Sequence, residues 1–288
     1  MPVSGKNLVV KVDMLVGKTD VPAGMTYRQA ARKAVAMCVS DFAAKGARPE
    51  AFLISIGLPR GFTGRQVEQL AMGFSDASKR WNVKLIGGDT GEASDLVVDC
   101  VMLGLAEKIV PRDGARPGEL VVTTGNFGYP PSGLKIMMHG ATSDRNFRRK
   151  AVASVTRPDP NIEAGAALSG YLTASMDSSD GLSICLHDIA SMSGVGVLLE
   201  RLPVDDGVRQ FALTNALPLE ALVLGGGEEY LIVGTLEEGR LAGARAAARA
   251  AGADLIAIGR VTDKKGVVEL SEGGHTRPVQ RTGWTHLS

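Results

Sequence analysis

Cysteine is scarce in this chain: Cys38, Cys100 and Cys185 are the only three in 288 residues. No two lie close in sequence, which leaves neither a disulfide framework nor a zinc-binding spacing. Histidine is nearly as rare. His139, His187, His275 and His286 are scattered, so no His/Cys metal cluster and no Ser–His pair is suggested. A bound metal would then be a hard cation held by oxygen, magnesium or a relative. Aromatic residues make up only 5% of the chain. No apolar run is long enough to cross a membrane, and the opening MPVSGKNLVV lacks the long apolar core of a signal peptide. A soluble cytoplasmic protein without a membrane partner is the expectation. A charge excess is missing as well: 32 basic residues face 31 acidic ones, a net charge of +1. A nucleic-acid surface needs a basic excess on one face, so no nucleic-acid partner is expected. The basic runs RNFRRK (145–150) and ARAAARAA (244–251) read as solvated helix faces.

What the chain has is apolar residues (44%) and glycine (36 residues). That suits a globular protein of one large or two ordinary domains with ample core. NLVVKVD (7–13) reads as a strand ending in Asp13, and 26–47 as a helix with Ser40-Asp41 in its interior. AFLISIGLP reads as a strand, GRQVEQLAMGFSDASKRW as an amphipathic helix, VKLIGGDT as a strand breaking at Gly87-Gly88-Asp89, and DLVVDCVMLGLAE as another strand. KIVPRDGARPGE (108–119), with its prolines and glycines, reads as a linker or inter-domain turn. Beyond it come the strand LVVTTG, a helical stretch over about 131–170, a strand-to-helix turn at Asp177–Asp180, and the strand GVGVLLE. LVLGGGEEYLIVGT is a glycine-rich turn entering a strand. EEGRLAGARAAARAAGA is a helix, and DLIAIGRV and GVVEL are strands. Strands and helices alternate in both halves, so two α/β (α+β) domains are expected, 1–108 and 109–288. Each half carries a Ser-Asp pair beside a small-residue helix.

Carboxylates stand in unusual places. Asp13 and Asp89 are read at strand ends, Asp89 after two glycines, and Asp41 lies inside an apolar helix. A lone carboxylate beside glycines can be a turn former. Asp41 needs more, because burying an unpaired carboxylate costs several kcal/mol or forces its protonation. A divalent cation is a suitable partner. In MDSSDGL, Asp177 and Asp180 sit where a strand hands over to a helix; Ser178, Ser179 or Asp180 could cap that helix, or the two carboxylates could face a ligand. Five such carboxylates, without histidine or cysteine and on a near-neutral chain, suit Mg²⁺ holding phosphates. VGKTD (16–20) is not a Walker loop, since Val12 stands where a glycine is required. LGGGEEY (224–230) could let backbone approach a ligand or simply turn, and Trp284 could be core or stack on a planar ligand.

Taken in order, VDMLVGKTDVPAGM, VSDFAAKGARP, LIGGDT, PRDGARPGELVVTTG, MDSSDGLS, GGGEEYLI and GWTHL resemble the thiamine-monophosphate kinase family, in its archaeal branch, whose fold is shared with aminoimidazole ribonucleotide synthetase. The resemblance runs over almost the whole chain. It implies Mg²⁺-dependent transfer of a phosphoryl group from ATP to thiamine monophosphate, giving thiamine diphosphate and ADP. It implies a homodimer whose N-terminal domains close a shared β-barrel, with ATP and Mg²⁺ in a cleft. By position, Asp13, Asp41, Asp89, Asp177 and Asp180 match metal ligands. Gly88, Asp89, Arg112 and Ser179 match nucleotide contacts. Glu228 and Trp284 match substrate contacts, and Asp20 aligns where bacterial members use a substrate-binding histidine. No residue is implied as acid–base catalyst; the transfer is metal-assisted. Members also carry some tens of residues, with a Gly-Asp-Asp-Ala metal segment, before the first matched strand, which here begins near residue 7; the expected first domain therefore lacks that segment.

Two alternatives differ in what they require. A sister enzyme of the fold is one, either aminoimidazole ribonucleotide synthetase-like, selenophosphate synthetase or the hydrogenase-maturation dehydratase. The last two need a reactive residue near the N-terminus or a C-terminal cysteine, and the tail GWTHLS has none. A catalytically impaired nucleotide-binding homologue is the other.

Overall fold

The computed structural model describes residues 2–3 and 5–284. The first half builds β1 (Pro2–Val3), β2 (Lys6–Val16), α1 (Gly17–Asp20), α2 (Tyr27–Ala44), β3 (Arg48–Leu58), α3 (Gly64–Trp81), β4 (Lys84–Glu92) and β5 (Val97–Ala106). The second builds β6 (Leu120–Thr123), α4 (Tyr129–His139), α5 (Arg145–Thr156), α6 (Ile162–Leu168), β7 (Ala174–Asp177), α7 (Leu182–Ser193), β8 (Gly196–Leu199), α8 (Asp206–Thr214), α9 (Leu219–Val223) and β9 (Ile232–Leu236). A 3₁₀ turn (Glu238–Arg240) then leads into α10 (Leu241–Ala250), β10 (Ile256–Thr262), β11 (Val268–Glu272) and β12 (His275–Pro278). Two mixed sheets result, a five-stranded one in the order β1-β2-β5-β3-β4 and a seven-stranded one in the order β12-β11-β8-β10-β6-β9-β7.

Several sequence expectations change. The helical stretch over 131–170 is three helices, parted at the left-handed Gly140 and again at the Pro158–Pro160 segment. β4 does not break at Gly87-Gly88 but runs on to Glu92, in parallel register with β3. A side chain at Gly88 would place its Cβ 2.2 Å from the Ile54 carbonyl, so the glycine is what allows the two strands to pair there. β2 likewise continues past Asp13 to Val16, because its ladder with β5 holds through Val16↔Val97. Asp13 and Asp89 are therefore mid-strand residues.

α2 holds the molecule together. A capping box between Thr26 and Gln29 starts it, and thirteen of its eighteen residues are buried. Small side chains let it lie against β2, β5 and α3 on one side and α6, β7 and β9 on the other. A helix buried all round has no simple apolar stripe, and α2 accordingly shows none. Its far end is pinned to β7: the Ser175 hydroxyl donates to the Ala44 carbonyl, and the Lys45 ammonium to the Ser175 carbonyl. No described helix is long and apolar enough to cross a membrane.

Candidate functional site

Polar residues on α2 face the seam between the sheets, and the seam is where the charged groups gather. Lys33 and Ser40 lie seven residues apart, on one helical face. The Ser40 hydroxyl donates to Asp177 Oδ2 at 3.0 Å, at the end of β7. Asp41, the next residue, accepts from the Lys11 ammonium at 2.6 Å, and Lys11 also reaches Asp13 Oδ1 at 3.2 Å. Strand alternation puts Lys11 and Asp13 on the same face of β2, toward α2. Asp13, Asp41 and Asp177 thus belong to one cluster, drawn from three separate elements.

The electrostatics of the cluster follow from crowding. Burial pushes the Asp177 carboxyl up to about 6, and the negative charge of Asp41 adds to this against hydrogen bonds from Ser40 and Ser179. Burial also raises Asp13, Asp41 again adding to it, while Lys11 works the other way. Burial alone would lower the Lys11 ammonium, but Asp41 and then Asp13 outweigh it and hold it above its ordinary range. Lys45 goes down to about 8, first from burial and then from the Arg112 guanidinium nearby. Arg112 is therefore near enough to Lys45 for its charge to act on it. All three cysteines are buried and free; two of them lie beneath the cluster, Cys38 donating to the Cys100 carbonyl at 3.2 Å and Cys185 donating to the Asp177 carbonyl at 3.0 Å.

A second group adjoins it. Lys33, 1% exposed at its side chain, bonds Glu228 Oε1 at 2.5 Å and the Asp20 carbonyl at 2.9 Å. Glu228 holds a left-handed backbone, φ +67°, which is costly for a residue with a side chain and concentrates at functional sites. Its other oxygen, Oε2, is buried and finds no hydrogen-bond partner among the described residues. The Asp20 carboxylate is taken up by the Val16 amide at 2.7 Å. Tyr230 is pushed well up by burial and by the charges of Glu228, Asp177, Asp13 and Asp20, so it lies within reach of both groups.

The MDSSDGL turn does not cap α7 with a side chain. Gly181 is the N-cap, and no side-chain oxygen serves the first turn. The Ser183 amide donates instead to the Leu224 carbonyl of the glycine-rich loop, while the Ser178 hydroxyl bonds the Glu229 and Leu231 carbonyls. Ser179 and Glu228 join through backbone, N–H to O=C at 2.7 Å, and the Trp284 amide donates to the Asp180 carbonyl at 3.0 Å. A Cβ at Gly283 would sit 2.2 Å from that same Asp180 oxygen, which explains the glycine before the tryptophan. Three loops distant in sequence are thereby locked together, with Trp284 49% exposed on their surface. That exposure removes the reading of Trp284 as core. Of the GWTHL stretch, Gly283 and Trp284 lie within the described residues.

Asp89 is not brought to this cluster, and Gly88, though in the Asp13 row, stands three strands away on the edge strand β4. Across the five-stranded sheet, Asp13 stands in one row with Cys100, Ile54 and Gly88, while Asp89 stands in the next row with Ser55, Asp99 and Met14. Adjacent rows face opposite sides. The first row faces the helices, with Cys100 0% and Ile54 4% exposed. The second row, and Asp89 with it, faces away. Among the described residues no three acidic, histidine or cysteine side chains converge into a ready-made metal cage. The site residues that sequence reasoning missed are Lys11, Lys33, Ser40, Lys45 and Tyr230. No clear signal in the sequence marks them: Lys33, for one, shares its helix with Arg28, Gln29, Arg32 and Asp41.

Two family models match the chain: the AIR synthase related protein N-terminal domain over residues 1–106 and the corresponding C-terminal domain over 116–271. The thiamine-monophosphate kinase of Nitrosopumilus maritimus is 38% identical over 282 residues, 98% of this chain and 90% of that protein. The one from Pyrococcus abyssi is 36% identical over 283 residues, 98% and 86%. The solved structure of AaThiL complexed with AMPPCP and TMP superposes with a TM-score of 0.89 at 26% identity, covering 100% of this chain and 89% of that one.

Proposed function

Since this chain belongs to the AIR synthase-related family and, within it, to the thiamine-monophosphate kinases, we propose that it transfers the γ-phosphoryl group of ATP to thiamine monophosphate, giving ADP and thiamine diphosphate. The observation that carries the reading is the convergence of Asp13, Asp41 and Asp177 with Lys11, Lys45 and Arg112 around α2, next to the Glu228–Trp284 ledge. The oxygen-only donor set fits Mg²⁺. Mg²⁺ is usually held by one or two carboxylates together with substrate phosphates. Asp177, with Asp180 on the same turn, is the side that would hold it. Asp177 is buried, and burial with the charge of Asp41 raises its carboxyl to about 6, so a positive charge beside it would favour the ionised form. When bound there with the nucleotide, the ion neutralises the repulsion between two anionic phosphate groups.

The attacking oxygen is a phosphate oxygen of thiamine monophosphate, already ionised at neutral pH. No general base is required, which agrees with a cluster that contains no histidine. The chain's own task is positioning and charge. Lys45 stands near the carboxylates, with Arg112 beside it, where they can meet phosphate oxygens. The exposed indole of Trp284 offers a face for a planar ring, and Glu228, joined through backbone to the same MDSSDGL turn, offers in Oε2 a buried acceptor.

Assembly belongs to the same reading. The face of the five-stranded sheet turned away from α2 carries Val10, Val12 and Met14, each more than half exposed. Val10 and Val12 pair with Leu103 and Val101, extending the apolar strip across β5. The proposed cover is a second copy of the chain, with the two sheets forming a barrel between them.

The test supplies ATP, Mg²⁺ and thiamine monophosphate and quantifies products. Equal amounts of ADP and thiamine diphosphate are expected. ATP binding by calorimetry without turnover would favour the impaired binder instead. In the same assay, Trp284→Ala should raise the KM for thiamine monophosphate roughly 5- to 150-fold, the worth of one stacking contact, with the KM for ATP and the Tm little changed. A lowered Tm with an unchanged KM would return Trp284 to a structural role.

A further inference from the structure

The ammonium of Lys11 stands between two carboxylates that come from different elements, Asp13 on β2 and Asp41 on α2, at 3.2 and 2.6 Å. These are two of the carboxylates expected to face a metal. All three side chains are largely shielded from water, at 32%, 23% and 16% exposure, so the grouping is unlike a solvated surface pair. Nor is Lys11 on a pliant loop. It sits in mid-strand, its backbone registered opposite Met102, two positions from the Asp13↔Cys100 pair.

An ammonium and a Mg²⁺ cannot share that gap. Mg²⁺ requires its carboxylate oxygens at about 2.0–2.1 Å in near-octahedral order, with water or phosphate filling the other positions. Lys11 meets the charge requirement with one group and a different geometry. An ammonium has three donors. Among the described residues two go to Asp41 and Asp13, which leaves one for an anionic oxygen. Asp177 is served differently. Its partners are the Ser40 and Ser179 hydroxyls, and the neighbouring Lys45 donates to the Ser175 carbonyl. The cluster is thus divided, one half neutralised from within and the other open to an incoming cation.

We propose that Lys11 is a resident cation of the phosphate site: it holds the place between Asp13 and Asp41 that a divalent ion would take, and the divalent ions carried by a nucleoside triphosphate bind on the Asp177 side. This rests on the reading of the cluster as a metal–nucleotide site. Phosphate repulsion would then be offset in part by a protein group that cannot dissociate.

Manganese counting by electron paramagnetic resonance tests it, on the full chain with a non-hydrolysable ATP analogue. Lys11→Ser removes the ammonium and frees both carboxylates. It should bind about one more Mn²⁺ per chain than the wild type, while Lys11→Arg keeps the wild-type count. Equal, non-zero counts in wild type and Lys11→Ser, both folded by circular dichroism, would overturn the inference alone. Absence of Mn²⁺ from every variant would overturn the metal reading and the inference with it. Should Lys11→Ser fail to fold, wild-type crystals grown with Mn²⁺ and the analogue decide the matter. An anomalous peak between Asp13 and Asp41, with Lys11 swung away, refutes the proposal; a peak beside Asp177, with that gap free of metal, supports it.

Discussion

A carboxylate buried at the end of β7 disfavours its own ionised form, and Asp177 is such a residue. Its pKa is pushed up to about 6, against 3.8 for an ordinary aspartate, first by burial and then by Asp41. Between about pH 4 and pH 6 the folded chain therefore binds this proton more tightly than the unfolded chain does. Stability falls with pH wherever the folded state holds more protons. The Asp177 contribution is thus favourable at low pH, fades across that window, and stays lost above about pH 6. Asp177→Asn has no such dependence. The Tm of the wild type relative to Asp177→Asn should fall from pH 4 to pH 6 and level off above it, an effect on the order of 2–3 kcal/mol. Adding Mg²⁺ with an ATP analogue above pH 6 should restore the wild type and leave the variant unchanged. A pH-independent difference in thermal melts would contradict the assignment. Residues of this kind were legible in sequence because acids stand out in apolar or glycine-rich surroundings. The lysines were not. Lys11, Lys33 and Lys45 look like solvated charges until α2 is seen lying between two sheets, and that packing is tertiary.

At the scale of the element, α2 is at once core and one wall of the charged cluster. Its length was readable because the Thr26–Gln29 box starts it and a long run of small residues sustains it. α3 was readable throughout, from its own capping box at Thr63–Gln66 to the left-handed Asn82 that ends it. β4 was misread, since two successive glycines signal a break. Here the second of them, Gly88, is required by the closeness of β3. The region over 131–170 was merged into one helix, although Gly140 and the prolines at 158 and 160 mark its breaks in the sequence. The same α2 makes a sharp prediction about Lys33. Lys33→Met leaves Glu228 buried without its cation, which should cost about 3–5 kcal/mol in denaturant unfolding. The double variant Lys33→Met/Glu228→Gln removes the orphaned charge and should recover most of that stability. Additive losses in the double-mutant cycle would show that the pair is not coupled.

At the scale of the whole molecule, the puzzle is Asp89. It lies on a motif that matches nucleotide and metal contacts, yet it shares a sheet face with the exposed Met14 and not with Asp13. Within one chain the sheet itself stands between Asp89 and the cluster. The same face carries the apolar strip of Val10, Val12 and Met14, the surface proposed to receive a second copy. If two copies pair there, Asp89 lies at the interface and can serve the partner's site. That arrangement has a consequence no single-chain site shares. Asp89→Asn and Asp177→Asn should each abolish transfer when made alone. Co-expressed with different tags, they should form mixed dimers in which one site carries both lesions and the other carries neither. Random pairing makes half of the dimers mixed, so activity should return to about a quarter of the wild-type value. Purification through both tags in series should raise it to about half. Sedimentation must show a dimer at micromolar concentration for the test to apply, and a monomer there would itself contradict the pairing. A dimer whose mixed form stays inactive would mean that Asp89 acts within its own chain, through a movement of β4 relative to the rest of the sheet.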